Sequence, residues 1–278
     1  MTIGILIIGD EILSGKRADK HLAKLIELLS ARGLGLSWAR YVGDDPERIT
    51  ADLRDAFAAA RDGALVFSCG GIGATPDDHT RQCAARALGR ELVLHPEARE
   101  LIVQRMRDIA AEQGKAFDPD AADNLHRLNM GVFPAGAAII PNPYNKIPGF
   151  FHRADPPAAG GLAGGVYFVP GFPVMAWPMM EWVLDTHYRD WQHQRVLAER
   201  SVIVFGAMEA ALTPLMEALE ARHAGIKVFS LPSVDHPQWG RHIELGVKGE
   251  AQGLDAPYAE LLQGLRDFGA ELGPEMVR

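Results

Sequence analysis

The sequence predicts an α/β protein built on a mostly parallel sheet, followed by a small α+β domain. Three observations carry that expectation. Over the first 90 residues, apolar runs ending in Gly-Asp or Gly-Gly alternate with amphipathic helical stretches. One of those runs, Leu65 to Cys69, opens onto Gly70, Gly71 and Gly73, with Asp77 and Asp78 just beyond. After about residue 195 the order changes to strand, helix, strand, strand, helix. Strand and helix alternating at short spacing imply parallel strands joined by right-handed crossovers.

Ile3 to Ile8 is continuously apolar, as a strand buried on both faces must be, and Asp10-Glu11 begins its exit loop. Asp19 is placed to cap a helix carrying Leu22, Leu25, Ile26 and Leu29 on one face, with Gly33 to stop it. Leu36 to Val42 reads as the second strand, Gly43-Asp44-Asp45-Pro46 as a turn and helix start, Glu47 to Arg61 as a helix and Ala64 to Cys69 as the third strand. Thr75-Pro76-Asp77-Asp78 has the cap, the proline and the negative charge of a helix first turn, so a helix is expected over Asp78 to Leu88.

A short strand at Glu91 to Leu94, a long helix from Pro96 to Glu112, a helix within 118–130 and a strand at Ala137 to Ile140 follow. The loop 141–149 sets Asn142, Tyr144, Asn145 and Lys146 among prolines; it reads equally as a stiffened connection or as a polar contact for a ring or sugar. Phe150-Phe151 and Val166 to Val169 pair as strands around the low-complexity segment 153–165, expected to be a mobile hairpin tip. Pro170-Gly171-Phe172-Pro173 then leads into an apolar helix through Met175, Trp177, Met179, Met180 and Val183, read as a subunit interface, so a homo-oligomer is expected. The domains run over 1–190 and 196–272. The second holds strands at Val196 to Phe205, Ile226 to Leu231 and Arg241 to Val247 and helices at Ala207 to His223 and Ala256 to Phe268, an order that resembles a split β-α-β unit.

Composition narrows the function. With 28 Lys+Arg against 36 Asp+Glu in 278 residues, the formal charge is −8 and no basic block could track a nucleic-acid backbone, so nucleic acid is not expected as a partner. No signal peptide and no apolar run of membrane-spanning length are found, so a cytoplasmic location away from membranes is expected. Cys69 and Cys83, without C-x-x-C spacing, fit a reducing compartment, and the ten histidines show no metal-ligand spacing.

The chemistry is concentrated at 64–80. A strand, then glycines, then a helix start is the arrangement that binds phosphate, although Gly71-Ile72-Gly73-Ala74-Thr75-Pro76 is neither a Walker loop nor a dinucleotide fingerprint. In an open parallel sheet ligands bind beyond the carboxyl ends of the strands, and all three strand exits here are acidic: Asp10-Glu11, Asp44-Asp45 and Asp77-Asp78. Carboxylates gathered around a phosphate imply a divalent cation between them, because Mg²⁺ commonly binds through one or two carboxylates plus phosphate oxygens.

The strings Gly9-Asp10-Glu11-Ile12-Leu13-Ser14-Gly15, Gly43-Asp44-Asp45, Gly70-Gly71-Ile72-Gly73-Ala74-Thr75-Pro76-Asp77-Asp78-His79-Thr80 and Val169-Pro170-Gly171-Phe172-Pro173, in that order, resemble the molybdopterin-binding (molybdenum-cofactor biosynthesis) fold family, in the branch of the amino-terminal domain of competence/damage-inducible protein CinA. The resemblance covers residues 1–190 and extends more weakly beyond. It implies a three-layer α/β/α domain, a nucleotide or pterin ligand with molybdopterin among the candidates, and metal-dependent cleavage of the pyrophosphate in ADP-ribose-like compounds. Carried over position by position, Gly70, Gly71, Gly73, Thr75, Thr80 and Gly171 would hold the ligand or its phosphates. Asp10, Glu11 and Asp78 would be catalytic, and Asp77 and Asp78 would hold Mg²⁺ or a similar ion.

Three departures qualify the resemblance. The family usually has Asp-Thr-Asn where this chain has Asp19-Lys20-His21, Ala74 replaces a usual proline, and the amidohydrolase domain of full-length CinA proteins is not expected here, so deamidation of nicotinamide nucleotide is not predicted. The same residues leave two other functions open: a pterin- or nucleotide-binding module without turnover, and adenylyl transfer in molybdenum-cofactor synthesis.

Overall fold

The unbroken apolar run at the amino terminus forms the strand β1 (Ile3–Ile8), all six residues buried. It is followed by one helical turn, α1 (Asp10–Leu13), then α2 (His21–Ser30), β2 (Trp38–Val42), α3 (Pro46–Arg61), β3 (Leu65–Cys69) and α4 (Thr80–Leu88). Next come β4 (Leu92–Leu94), α5 (Pro96–Glu112), α6 (Ala122–Arg127), β5 (Val132–Pro134), β6 (Ala138–Ile140), β7 (Gly149–Arg153), β8 (Gly165–Val169) and α7 (Pro173–His187). This computed structural model describes residues 2–154, 163–194 and 197–278. It divides into two units, Met1–Gln192 and His193–Arg278.

The first unit carries a six-stranded sheet in the order β2-β1-β3-β8-β7-β6. β2, β1, β3 and β8 are parallel, with Ile5 opposite Ala39 and Phe67, and Phe67 opposite Tyr167. β7 and β6 complete the sheet antiparallel, so the expected pairing of the strands flanking the low-complexity segment is present. The tip of that segment lies outside the described residues. One face of the sheet buries Ile5, Phe67 and Tyr167 against Leu25 and Leu29 of α2 and Met179, Met180 and Val183 of α7. The other buries Leu6, Val66 and Phe168 against Ile49, Leu53 and Phe57 of α3 and Cys83 and Ala84 of α4. Helices on both faces make the expected three layers.

Several elements differ from the sequence reading. Thr75 to Asp78 does not open a helix; it closes a turn of its own, with the Asp78 amide donating to the Thr75 carbonyl, and α4 begins two residues later at Thr80. The stretch 118–130 is α-helical only over Ala122–Arg127 and continues as a 3-10 turn over Leu128–Gly131, and β5, absent from the reading, pairs antiparallel with β4. The α7 face expected at a subunit interface is core: Met179, Met180, Val183 and Leu184 are fully buried against the chain's own sheet. Ile26 is half exposed instead of joining the buried face of α2.

In the second unit, β9 (Leu197–Phe205), α8 (Glu209–Arg222), β10 (Lys227–His236), β11 (Gly240–Glu250), α9 (Asp255–Phe268) and β12 (Glu271–Val277) form a four-stranded antiparallel sheet in the order β10-β11-β9-β12. Val202, Val204, Leu245 and Val247 pack against Leu212 and Leu219 of α8 and Leu261 and Leu265 of α9. The final strand completes the split β-α-β arrangement and runs past residue 272, where the second domain was expected to end. Among the described residues, no helix is long and apolar enough to cross a membrane.

His152 on β7 gives the first unit a pH signature. It is 8% exposed, and burial, reinforced by the Arg90 guanidinium, pushes its pKa down to about 4. The unfolded chain therefore takes up this proton first as pH falls. The corresponding stability is complete above about pH 6.5 and is lost as pH drops toward 4, by roughly 2 kcal/mol after allowance for screening. His152→Leu should show a smaller fall in urea midpoint between pH 7 and pH 4.5 than the parent; an equal fall would refute this account.

Candidate functional site

The carboxyl ends of β1, β3 and β8 open onto a cleft of about 700 Å³, within the range of small-molecule sites. Its walls come from three loops. After β1 come Gly9, Glu11, Lys16 and Arg17; after β3 come Gly70 to Thr75 with Asp77 and Asp78; after β8 come Pro170, Gly171 and Phe172. Asp44 from the β2 exit and Asn142, Asn145, Ile147 and Pro148 from the proline-rich loop complete it. The predicted convergence of acidic strand exits is therefore present.

The loop after β3 is held by its carbonyls. Thr80 Oγ1 donates to the Gly70 carbonyl at 3.0 Å, and the Thr80 amide donates to that of Gly71 at 3.0 Å. Arg81 donates to the Gly73 carbonyl at 2.5 Å, and His126 Nε2 donates to that of Ala74 at 3.0 Å. Among the described residues, by contrast, the amides of Gly71, Ile72, Gly73 and Ala74 donate to no protein acceptor. Four consecutive N–H groups without protein acceptors, in a loop that lines a cleft, are backbone of the kind that can receive an anion. Gly70 and Gly71 are required here: their φ angles are +102° and +68°, and a Cβ would collide with the Ile8 carbonyl at Gly70 and with Thr80 Oγ1 at Gly71.

Arg81 is the residue behind this loop that the sequence reading missed. Its side chain is 5% exposed, and burial lowers the guanidinium pKa against the opposing pull of Asp78. A buried cation against the loop's carbonyl side adds positive potential to this wall of the cleft. A lone arginine in a helix carries no sequence signal for this role. Lys16 and Arg17 were also missed, although two adjacent cations just after a strand-exit glycine turn could have been noticed.

The expected site residues divide into two groups. Glu11, Asp77, Asp78, Gly70, Gly71, Gly73, Thr75 and Gly171 all line the cleft. Asp10 does not: its amide donates to Asp44 Oδ2 at 2.9 Å while its Oδ1 accepts from the Asp44 amide at 3.2 Å, a reciprocal clasp between two loops. Thr80, expected at the ligand, is fully buried and braces the loop from behind. Thr75 is in the wall, but its amide and hydroxyl both donate to Asp78 Oδ2, at 2.8 and 2.6 Å. One oxygen of Asp78 is thereby occupied in shaping the turn, and the other remains.

The proline-rich loop is the stiffened connection considered for it, and it borders the cleft. Asn142 donates to Asn145 Oδ1 and to the Ile147 carbonyl, which stiffens the loop, while both asparagines also border the cleft. Lys146 is held away by Asp108 at 2.7 Å.

Electrostatics favour a ligand that brings or shares positive charge. Burial raises the Asp44 pKa, and the carboxylates of Asp10, Glu11 and Asp77 raise it further against the lowering effect of the Asp10 amide. Among the described residues no group of three or more His, Cys, Asp or Glu side chains is gathered to hold a metal ion. These side chains make no all-protein cage; a cation here would have to complete its shell with ligand oxygens and water.

A second hollow of about 330 Å³ adjoins the cleft and shares Glu11, Arg17, Gly171 and Phe172 with it. His21, where the Asp-Thr-Asn pattern would have asparagine, is 4% exposed, and its Nε2 donates to the Gly171 carbonyl at 3.1 Å. Burial lowers its pKa, so the neutral ring is favoured. It anchors the loop after β8.

Residues 4–189 match the family described as a probable molybdopterin binding domain. A CinA-like protein from Syntrophotalea carbinolica is 32% identical over 230 residues, covering 79% of this chain and 50% of that one. A CinA-like protein from Mycobacterium marinum is 29% identical over 272 residues, covering 95% and 59%. The chain thus spans 50–59% of the length of these curated relatives. Among solved structures, the protein CinA of unknown function from Thermoplasma acidophilum superposes with a TM-score of 0.52 at 24% identity, over 66% of this chain and 98% of that one.

Proposed function

Because this chain belongs to the probable molybdopterin-binding domain family and has the fold of a CinA amino-terminal domain, we propose that it hydrolyses the pyrophosphate bond of a nucleotide-sugar diphosphate such as ADP-ribose with the help of a divalent cation. The observation that carries this reading is the run of four amides, Gly71 to Ala74, that among the described residues meet no protein acceptor, in a loop that lines one cleft together with Glu11, Asp44, Asp77 and Asp78. The amides bind one phosphate and Lys16 offsets its charge. Asp77 and the remaining oxygen of Asp78 would hold the cation, with Asp44 nearby; when bound, it supplies polarisation of the phosphoryl oxygens. Glu11 orients a water toward phosphorus and accepts its proton as the P–O–P bridge breaks. The products are AMP and ribose 5-phosphate.

Incubation of the purified protein with ADP-ribose and Mg²⁺ or Co²⁺ should release AMP, and EDTA should stop the release. Intact ADP-ribose after prolonged incubation with either metal would overturn the assignment. A second reading, binding of a nucleotide or pterin without turnover, is favoured by one detail: Asp78 Oδ2 already accepts two hydrogen bonds from Thr75, as a structural carboxylate does. Calorimetric binding without product formation would support it.

A further inference from the structure

The Arg17 guanidinium lies over the Phe172 ring, 5.9 Å from its centroid, and these two side chains belong to the walls of both the main cleft and the adjoining hollow. With Glu11 and Gly171 they lie where the two spaces meet. The two partners differ in rigidity. Phe172 caps α7, its carbonyl accepting from the amides of Met175 and Ala176 at 3.0 and 2.9 Å, and it sits between Gly171, pinned by His21, and Pro173. Arg17 stands on the exposed turn after α1, its amide tied to the Glu11 carbonyl at 2.9 Å, and among the described residues its side chain has no ion-pair partner.

Phe172 is nevertheless 56% exposed. A large apolar ring held rigidly in the mouth of a polar cleft, with a free cation above it, gains little from the fold itself. It does have the properties of a preorganised stacking platform. A flat ring inserted between the two would need roughly 7 Å, two contacts of about 3.5 Å, about 1 Å more than the present separation. The Arg17 turn can provide that by a side-chain movement. The ring's substituent would then run into the main cleft toward the Gly71 to Ala74 amides, while its far edge would meet Lys20 and Asp19 in the smaller hollow.

We propose that Arg17 and Phe172 clamp the planar nitrogen heterocycle of the ligand, so that affinity for the ring and affinity for the phosphates reside in separable parts of one site. This rests on the phosphate reading of the main cleft only for the direction of the substituent; the clamp itself rests on the pair and the two spaces it borders. It makes Arg17 and Phe172 specificity residues that favour phosphates carried on a flat base over ring-free phosphates of equal charge.

The test compares adenosine, AMP, ribose 5-phosphate and pyrophosphate by titration calorimetry against the parent chain, Arg17→Met and Phe172→Leu. Both positions are exposed, so thermal midpoints should be unchanged. Each substitution should weaken adenosine and AMP roughly ten- to hundredfold, the loss expected for a stacked base, and leave ribose 5-phosphate and pyrophosphate within about threefold. If Arg17→Met weakens pyrophosphate as much as AMP, Arg17 is a phosphate contact and the clamp is overturned. If the variants bind AMP as the parent does, the clamp also falls while the phosphate cradle stands. If adenosine binds and is lost in both variants but pyrophosphate never binds, the clamp stands and the phosphate reading falls. If no probe binds the parent chain, both fall.

Discussion

Asp77→Asn is expected to lower metal-dependent AMP release by at least about a hundredfold, several kcal/mol of transition-state stabilisation, with little change in stability. Asp77 is exposed at the turn before α4, so its amide replacement disturbs no packing. Two properties of the cleft make the loss large. Among the described residues no three carboxylates gather tightly enough to hold an ion by themselves, so the loss of one is not made good by its neighbours. The neighbouring Asp78 already accepts from the Thr75 amide and hydroxyl, leaving one free oxygen. The same substitution should act in the opposite sense without metal. With EDTA present, Asp77→Asn should bind AMP somewhat more tightly than the parent, because one charge that repels phosphate and raises the Asp44 pKa has gone. Calorimetry with and without metal separates the two effects. Unchanged turnover in the variant would remove Asp77 from the metal hypothesis, whatever the binding data show.

The parts of the molecule that were legible in the sequence are those where one physical demand dominates. β1 and β3 are buried on both faces, and only a continuous apolar run satisfies that, so Ile3 to Ile8 and Leu65 to Cys69 could be read directly. The parts that were not legible satisfy two demands at once. Thr75 to Asp78 has the chemistry of a helix start, but Asp78 turns back onto Thr75, and the same cap chemistry closes a separate turn. The methionines and tryptophans of α7 suit an interface as well as a core; the wide sheet face formed by Phe67, Tyr167 and Val169 decides for core.

In the second unit, proline concealed strand length. Pro232 lies in β10 and Pro274 in β12, and both strands are at edges of the sheet, where a missing N–H is tolerated. At β12 the register shifts between Leu272 and Glu275, around Gly273 and Pro274, so the strand resumes beyond a break that reads locally as its end.

For the site, sequence supplied the loops but not the direction in which each side chain faces. Asp10 and Glu11 are adjacent and equally acidic, yet α1 turns Glu11 into the cleft and Asp10 onto the Asp44 amide. Sequence spacing cannot make that distinction, because it depends on where β2 ends relative to β1. Arg17 and Phe172 are 155 positions apart and meet only because β1 and β8 both flank β3 and deliver their exits to one edge of the sheet.

Gly71→Ala should cost about 3 kcal/mol of stability, and it should remove phosphate binding with it. Two costs combine. The backbone at φ +68° costs a side chain roughly 1–2 kcal/mol, and the new Cβ would collide with Thr80 Oγ1, which is buried and bonded to the Gly70 carbonyl. Gly15 isolates the first cost: its φ is +72°, but nothing lies within 4 Å of a Cβ built there, so Gly15→Ala should lose only about 1 kcal/mol. Thr80→Ala isolates the second, since it removes the obstructing hydroxyl at the cost of one buried hydrogen bond, about 1–2 kcal/mol. If steric conflict with Thr80 is the larger part of the Gly71 effect, the double variant will be less destabilised than the sum of the singles by 1 kcal/mol or more, as coupled neighbours are. Strict additivity in urea unfolding would show that backbone strain alone is at work. Phosphate affinity should follow a different pattern. The double variant relieves the collision but loses the brace that fixes the Gly70 carbonyl, so its amides are no longer held in a row, and pyrophosphate binding should stay weak although the steric conflict is gone.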